Sequence, residues 1–332
     1  MIEKKQRVRA LGLCSGGLDS ILAGMILKKQ DIDVTWVSFE TPFFTADKSA
    51  RAARQTGIPL IKKDITDIYL AMLKNPPLGY GKHMNPCRDC HALMFKLAGD
   101  MMAQGNYDFL FSGEVAGQRP LSQTKPSLRY VEKQSGFDGL IIRPLSARVL
   151  PETDVEKRGL VDRSKLMDFS GRSRKPQIQL ARELGIRDYP SPAGGCLLTD
   201  KNFSIRLKDL FNHDENVSHN DIHLLKFGRH IRLNETVKII VGRTQADNQS
   251  VMKFHDPEKY AHLDVKDIGS PVILVPADID NESLKMAAAI SVGYTKTPEG
   301  QSADVVVTWK DRVEILRVKS IVSSTLRPLM LG

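Results

Sequence analysis

Between an apolar run, Val8 to Cys14, and an apolar-periodic run, Ile21 to Leu27, the chain carries Ser15-Gly16-Gly17-Leu18-Asp19-Ser20. A strand that feeds a glycine turn and then a helix confines the chain to a small set of α/β folds. It also places backbone N–H groups and a positive helix end where an anion can rest. Gly16 and Gly17 let the backbone bend tightly and approach a ligand with no Cβ in the way, and the hydroxyls of Ser15 and Ser20 add donors. A phosphate is the natural ligand. Asp19 conflicts with a bare phosphate, since a carboxylate repels it, and a divalent cation between the two removes the conflict. Mg²⁺-bound nucleotide is therefore expected. No Gly-Lys-Ser/Thr triplet follows the glycines, so the Walker pattern is absent. The plain alternative is an ordinary strand-to-helix turn.

The hexapeptide resembles the signature of the PP-loop ATP pyrophosphatases, Ser-Gly-Gly-x-Asp-Ser after the first strand, at every fixed position. That resemblance implies cleavage of ATP between its α and β phosphates, an adenylate on a carbonyl or amide oxygen, and displacement of AMP by a nucleophile. It implies a nucleotide-binding set of Cys14, Ser15, Gly16, Gly17, Leu18, Asp19 and Ser20. Read by itself, Cys14 ends an apolar strand, where a buried small hydrophobe is the direct account.

The cysteines bear on the nucleophile. There are four, Cys14, Cys87, Cys90 and Cys196, too few and too unevenly placed for a disulfide framework. With no signal-peptide-like segment or long apolar span, a reducing, cytoplasmic setting without membrane association is expected. Cys87 and Cys90 stand in Asn85-Pro86-Cys87-Arg88-Asp89-Cys90, ahead of an amphipathic helical run from His91 to Met101. Thiols at a helix N-terminus beside Arg88 are expected to be more acidic than free cysteine, suited to bind metal or carry sulfur. Cys196 closes Tyr189-Pro190-Ser191-Pro192-Ala193-Gly194-Gly195-Cys196, whose prolines and glycines deny it a helix or central strand. A loop there can carry the third thiol to the other two. A Cys-x-x-Cys pair also suits half a zinc site, with His83 and His91 as flanking ligands, or a redox pair; neither completion is visible.

Taken together, the PP-loop, the Asn-Pro-Cys-x-x-Cys segment and the Gly-Gly-Cys loop resemble the tRNA-thiolating branch, the 2-thiouridylases and 4-thiouridine synthetases. The 2-thiouridylase form often has aspartate at the position of Cys87, and this chain departs from it. With cysteine there it is similar to variants that hold a 4Fe-4S cluster on three thiolates, here Cys87, Cys90 and Cys196, leaving one iron open for a hydrosulfide donor. Zinc is the alternative metal. A persulfide carried on one cysteine and resolved by another is the alternative mechanism. The resemblance assigns Asp19, Cys87, Cys90 and Cys196 to catalysis, tRNA as substrate, and sulfide or a persulfide carrier as sulfur donor.

Further fragments fit the same picture. The second apolar run, Val34 to Phe39, ends where nucleotide rings dock at the carboxyl end of a parallel strand, so Ser38 and Phe39 are adenine-side candidates. A plain core strand is the alternative. Phe109-Leu110-Phe111 leads into Ser112-Gly113-Glu114-Val115-Ala116-Gly117-Gln118-Arg119, and by resemblance Gly113, Glu114 and Gln118 border the phosphates or the base. Arg119 reads equally as a solvated charge. The net charge is +9: 30 Lys and Arg face 22 Asp and Glu in residues 1–200, against 18 and 17 in residues 201–332. Within 119–187, 15 basic residues meet 8 acidic ones, and Arg172-Ser173-Arg174-Lys175 suits contacts to an RNA backbone.

Strands near 8–14, 34–39, 59–64, 107–112 and 139–143 alternate with helical patterns at 20–29, 47–56, 90–104 and 121–134. This predicts an α/β fold, a parallel sheet with helices on both faces, Rossmann-like by the PP-loop resemblance. The expected organisation is an ATP-binding and sulfur-transfer domain over 1–200, a linker over 201–220, and a smaller α+β accessory domain over 221–332. Strand-like runs at 237–241, 271–275, 305–309 and 313–318, the last two joined by a hairpin, flank a helix from Glu282 to Val292. This part is poor in basic residues, yet it resembles the RNA-binding domain of NFACT-type proteins. The competing functions are an ammonia-using PP-loop ligase of the NAD or GMP synthetase kind and a nucleic-acid-binding protein with a vestigial ATP loop. A homodimer is left open.

Overall fold

The computed structural model describes residues 7–191, 196–298, 300–321 and 323–332. It divides into two compact units, residues 1–196 and 197–332. The amino-terminal unit runs β1 (Arg9–Leu13), α1 (Leu18–Lys28), β2 (Asp33–Glu40), α2 (Asp47–Thr56), β3 (Leu60–Asp64), α3 (Thr66–Lys74), α4 (Cys87–Gln104), β4 (Phe109–Ser112), α5 (Lys125–Ser135), β5 (Ile141–Ile142), α6 (Asp154–Lys157) and α7 (Lys175–Glu183).

The five strands are parallel and ordered β3-β2-β1-β4-β5. Strand order reverses at β1, so the crevice beyond the carboxyl ends of β1 and β4 is the switch point at which open α/β sheets take ligands. Leu13 pairs with Val37 on one side and with Ser112 on the other, which brings the ends of β2 and β4 to the Ser15–Ser20 loop. Right-handed crossovers put α1 and α2 on one face and α3 to α5 on the other. The packing agrees: α1 touches α2 and α7, whereas α4 touches α3 and α5. The core joins Trp36, Phe109 and Phe111 to Leu22 and Leu27 of α1, all at 0% exposure. Edge strand β3 is mostly exposed, with Lys62 and Lys63 at its outer end, a charge pattern that discourages edge-to-edge pairing.

The carboxy-terminal unit contains α8 (Lys201–His213), α9 (His219–Leu224), β6 (Arg229–Arg232), β7 (Lys238–Val241), α10 (Gln245–Lys253), β8 (Tyr260–Val265), β9 (Ile273–Pro276), α11 (Asn281–Gly293), β10 (Ser302–Trp309) and β11 (Arg312–Lys319). Its six strands form an antiparallel sheet, β11-β10-β8-β9-β7-β6. Alternating burial along β8 and β10 turns one side chain in two into the core beneath Ala287, Ala288 and Ile290 of α11. Ile240 and Leu274 face the other way, against Leu224 and Val251 of α9 and α10. Residues 201–220, read from sequence as a linker, are mostly the helix α8, capped by the Asp200 carboxylate on Phe203 N at 2.7 Å. The β10–β11 hairpin turns on Lys310 and Asp311, with Lys310 in the left-handed region at φ 50°. No helix among the described residues is long and apolar enough to cross a membrane.

Candidate functional site

The hexapeptide is clamped between two backbones. Gly16 has φ +71°, and a Cβ there would lie 2.2 Å from the carbonyl carbon of Lys48 in the first turn of α2. From the other side Gly113 closes in: its Cβ would sit 2.4 Å from Asp19 C and Ser20 N. Glycine is needed at both places for steric reasons, not for loop flexibility. Gly17, extended at φ −77° and ψ 162°, caps α1 without a side-chain hydrogen bond, so the first amides of α1 keep their donors for a ligand.

Asp19 is half-buried, and its Oδ1 has no hydrogen-bond partner. Burial raises its pKa, while a Gln118 hydrogen bond and the charges of Arg174 and Arg119 oppose the rise. A carboxylate oxygen held from water without a protein donor is a fitting ligand for a divalent cation. Gln118 thus lies against Asp19, and Arg119 is exposed but within electrostatic reach of it. Other expectations change. The Ser20 hydroxyl is turned inward and donates to Gly17 O at 2.8 Å, leaving Ser15 as the exposed hydroxyl of the loop. Cys14 and Leu18 are core residues, and burial pushes the Cys14 thiol up to about 11. Ser38 and Phe39 are also enclosed, at 5% and 4% exposure, with the Ser38 and Ser49 hydroxyls 2.8 Å apart. Neither side chain offers an open face to an adenine ring, because both faces of a central parallel strand are covered.

Cys87 and Cys90 lie in the first turn of α4, which Cys90 N closes on Pro86 O at 2.8 Å. The four cysteines form no disulfide. Tyr69 of α3, 1% exposed, hydrogen-bonds the Cys90 sulfur, and Cys90, Cys196 and Cys87 all act electrostatically on its hydroxyl. Cys196 and Cys87 act likewise on Cys90. The three thiols are therefore neighbours around one buried phenol. Among the described residues no group of three or more His, Cys, Asp or Glu side chains stands in metal-holding geometry. Residues 192–195 of the Gly-Gly-Cys loop lie outside the described residues.

The expected acidity does not hold at Cys90. Burial pushes its thiol up to about 12, and the nearby Cys196, Cys87 and Asp89 add to the rise, outweighing the hydrogen bond from Tyr69. A helix end acidifies a thiol only where water or a cation can also support the thiolate.

The strand-end segment after β4 joins the two halves of the site. Gly113 rests on the Asp19–Ser20 backbone, and the next residue, Glu114, reaches the thiol helix. Its Oε1 lies 2.8 Å from His91 Nδ1, and its Oε2 accepts from Arg143 Nε at 3.0 Å and Ser112 Oγ at 3.1 Å. Arg143 is itself buried and paired with Glu132. Burial would raise the Glu114 pKa, but Arg143 and His91 bring it down to about 2. Both carboxylate oxygens are thus committed to protein, and Glu114 acts as an internal tie in place of the expected phosphate neighbour. His91, considered from sequence as a zinc ligand, has Nδ1 taken by this tie.

Sequence reasoning missed Tyr69, Arg143 and the His91–Glu114 contact. A signal for α3 existed: Asp64 Oδ1 accepts from Thr66 N at 2.9 Å, Pro76-Pro77 follows its end, and Thr66, Tyr69, Leu70 and Leu73 share one buried face. In the basic region Arg172 and Lys175 are exposed and Arg174 is half-buried.

Residues 228–328 match the NFACT protein RNA binding domain family. The chain is 27% identical over 143 residues to a protein named "Probable tRNA sulfurtransferase" from Latilactobacillus sakei subsp. sakei (strain 23K), a match covering 40% of this chain. The chain spans about a third of that relative's length, 33%. Among solved structures it is similar to a 4-thiouridine synthetase in complex with RNA and bound ATP, at 21% identity and TM-score 0.35 over 54% of this chain and 52% of that one. It is also similar to a predicted subunit of tRNA methyltransferase from Methanocaldococcus jannaschii, at 15% identity and TM-score 0.35 over 53% and 76%. In its two units the chain resembles a PP-loop ATP pyrophosphatase of the tRNA-thiolation branch carrying an NFACT-type RNA-binding module.

Proposed function

We propose that the chain is an ATP-dependent tRNA sulfurtransferase, which adenylates a uridine carbonyl oxygen and replaces that oxygen with sulfur. The observation that carries this reading is the tie through two consecutive residues: Gly113 lies on the nucleotide-type loop, and Glu114 holds His91, the neighbour of Cys90. An ammonia-using ligase needs the same loop but has no use for three thiols gathered beside it.

In this reading the amides of residues 15–20 and the first turn of α1 bind the triphosphate, and Asp19 would hold the accompanying Mg²⁺ through its unpartnered oxygen. Gln118 orients the Asp19 carboxylate. Cys87, Cys90 and Cys196 suit a soft metal centre by donor type and by their nearness to one another, and they would hold a 4Fe-4S cluster. When bound, that cluster supplies an iron without a protein ligand, at which hydrosulfide can be carried. Tyr69 donates to the Cys90 sulfur and fills the space behind it. A uridine in folded RNA must leave its stack to reach such a centre. Basic residues of 119–187 would engage the tRNA backbone, with the carboxy-terminal unit as a second RNA contact.

The test is anaerobic purification with iron and sulfide analysis, followed by assay of thiolated nucleosides in tRNA. Cys87→Ala, Cys90→Ala and Cys196→Ala each lose thiolation, with iron lost in step. Full ATP-dependent activity of the triple variant with ammonia would assign the chain to the amidating ligases. Pyrophosphate release that no tRNA stimulates would leave only an RNA-binding protein.

A further inference from the structure

Cys87 and Cys90 lie one turn apart on α4, and both are half-buried, yet different groups face their sulfur atoms. Cys87 lines a cleft together with Tyr80, Asn85, Arg88 and Leu121. Its sulfur accepts a hydrogen bond from Asn85 Nδ2 at 3.3 Å. Asn85 is only 7% exposed, and its amide cannot turn over, because Oδ1 already accepts from His83 N at 3.1 Å. The NH₂ end must then face the sulfur. The backbone fixes the same residue: Asn85 O accepts from Gly81 N at 3.0 Å, and a Cβ on Gly81 would fall 2.6 Å from Nδ2. Cys90 instead meets the Tyr69 hydroxyl, whose ring is packed against Phe43 and Phe44 at centroid distances of 5.7 and 5.4 Å.

We propose that Asn85 is a positioning residue that holds the Cys87 sulfur toward the cleft, so that Cys87 is the outer thiol through which the site meets small reagents and Cys90 is the inner one. The inference deepens the sulfur-transfer reading and takes its meaning from it, since a thiol facing the cleft is where an incoming sulfur species first meets the site. Access to the two thiols can be measured without ATP, tRNA or metal.

Full-length protein, reduced and treated with a chelator, is exposed to limiting iodoacetamide for timed intervals, and modification of each cysteine is followed by peptide mass spectrometry. Cys87 reacts about tenfold faster than Cys90. Asn85→Asp keeps the size of the side chain and the acceptor for His83 N, but sets a carboxylate oxygen against the sulfur. It slows Cys87 by about fivefold or more and leaves Cys90 within about twofold of the parent protein. Gly81→Ala displaces the amide without touching either cysteine and slows Cys87 in the same sense, which keeps the test open if Asn85→Asp does not fold. The proposal is overturned if Cys90 reacts as fast as Cys87, if both variants leave Cys87 unchanged, or if they slow both thiols alike, as a merely structural role would. Absence of tRNA thiolation in the parent protein removes the proposed function and leaves the ratio of the two alkylation rates standing, so the two failures are told apart.

Discussion

Asp19 and Glu114, on either side of the Gly113 contact, titrate in opposite directions. Burial raises the Asp19 pKa, so the folded protein holds that proton more tightly than the unfolded chain and stability falls as pH rises through the raised value. Asp19→Asn should therefore melt higher than the parent at neutral pH, and the gap should close as the pH is lowered to where Asp19 is protonated. In the same variant ATP-dependent pyrophosphate release should fall about 100-fold, because a ligand aimed at the transferring phosphates is lost. Calorimetry across pH and a pyrophosphate assay check the pair. Glu114 is the reverse case: its pKa is lowered from 4.5 to about 2, so its contribution is present above pH 4.5 and lost as pH falls toward 2. Glu114→Gln leaves Arg143 buried with part of its charge unmatched, and should cost about 3 kcal/mol at pH 7 with a flattened acid limb, read by urea unfolding at several pH values. Asp19 was legible because its hexapeptide is local. The role of Glu114 was not, because its partners His91 and Arg143 lie 23 and 29 residues away in the chain.

Among the elements, β4 and its tail carry the architecture of the site. Gly113→Ala would press a methyl into the Asp19–Ser20 backbone, and displacement of the loop by about 1 Å should lower the ATP-dependent rate about 100-fold while the protein remains folded. Steady-state pyrophosphate kinetics beside a circular dichroism melt would show it; an unchanged rate would mean that the loop yields freely. The strands were readable as apolar runs bounded by turn residues, and α1, α2 and α4 as periodic ones. The helix α3 was passed over because its nine residues are short for a periodicity reading and only their caps betray them. That omission also hid Tyr69, and with it the burial that makes Cys90 a weak acid. Local signals at a helix N-terminus point to acidity, whereas the pKa is decided by what packs on the sulfur.

The whole molecule carries its charge unevenly, with the excess in residues 1–200. Arg172 and Lys175 are exposed, so replacing both with Gln should reduce the slope of log affinity for tRNA against log salt by about two, without abolishing binding. An unchanged slope would place the RNA backbone elsewhere. The division into two units was visible as a change from parallel to hairpin patterning, but its position was not, because the polar tract 212–216 lies at the end of α8 and beyond it, well inside the second unit. A last consequence follows from the adjacency of Cys90 and His91 in α4. Consecutive residues of a helix project about 100° apart around its axis. The helix cannot roll to advance the sulfur without pulling the imidazole off its carboxylate. The thiol side is in effect an anvil: during turnover the reacting base has to travel to a stationary sulfur, and enzymatic speed would be governed by how quickly RNA presents that base.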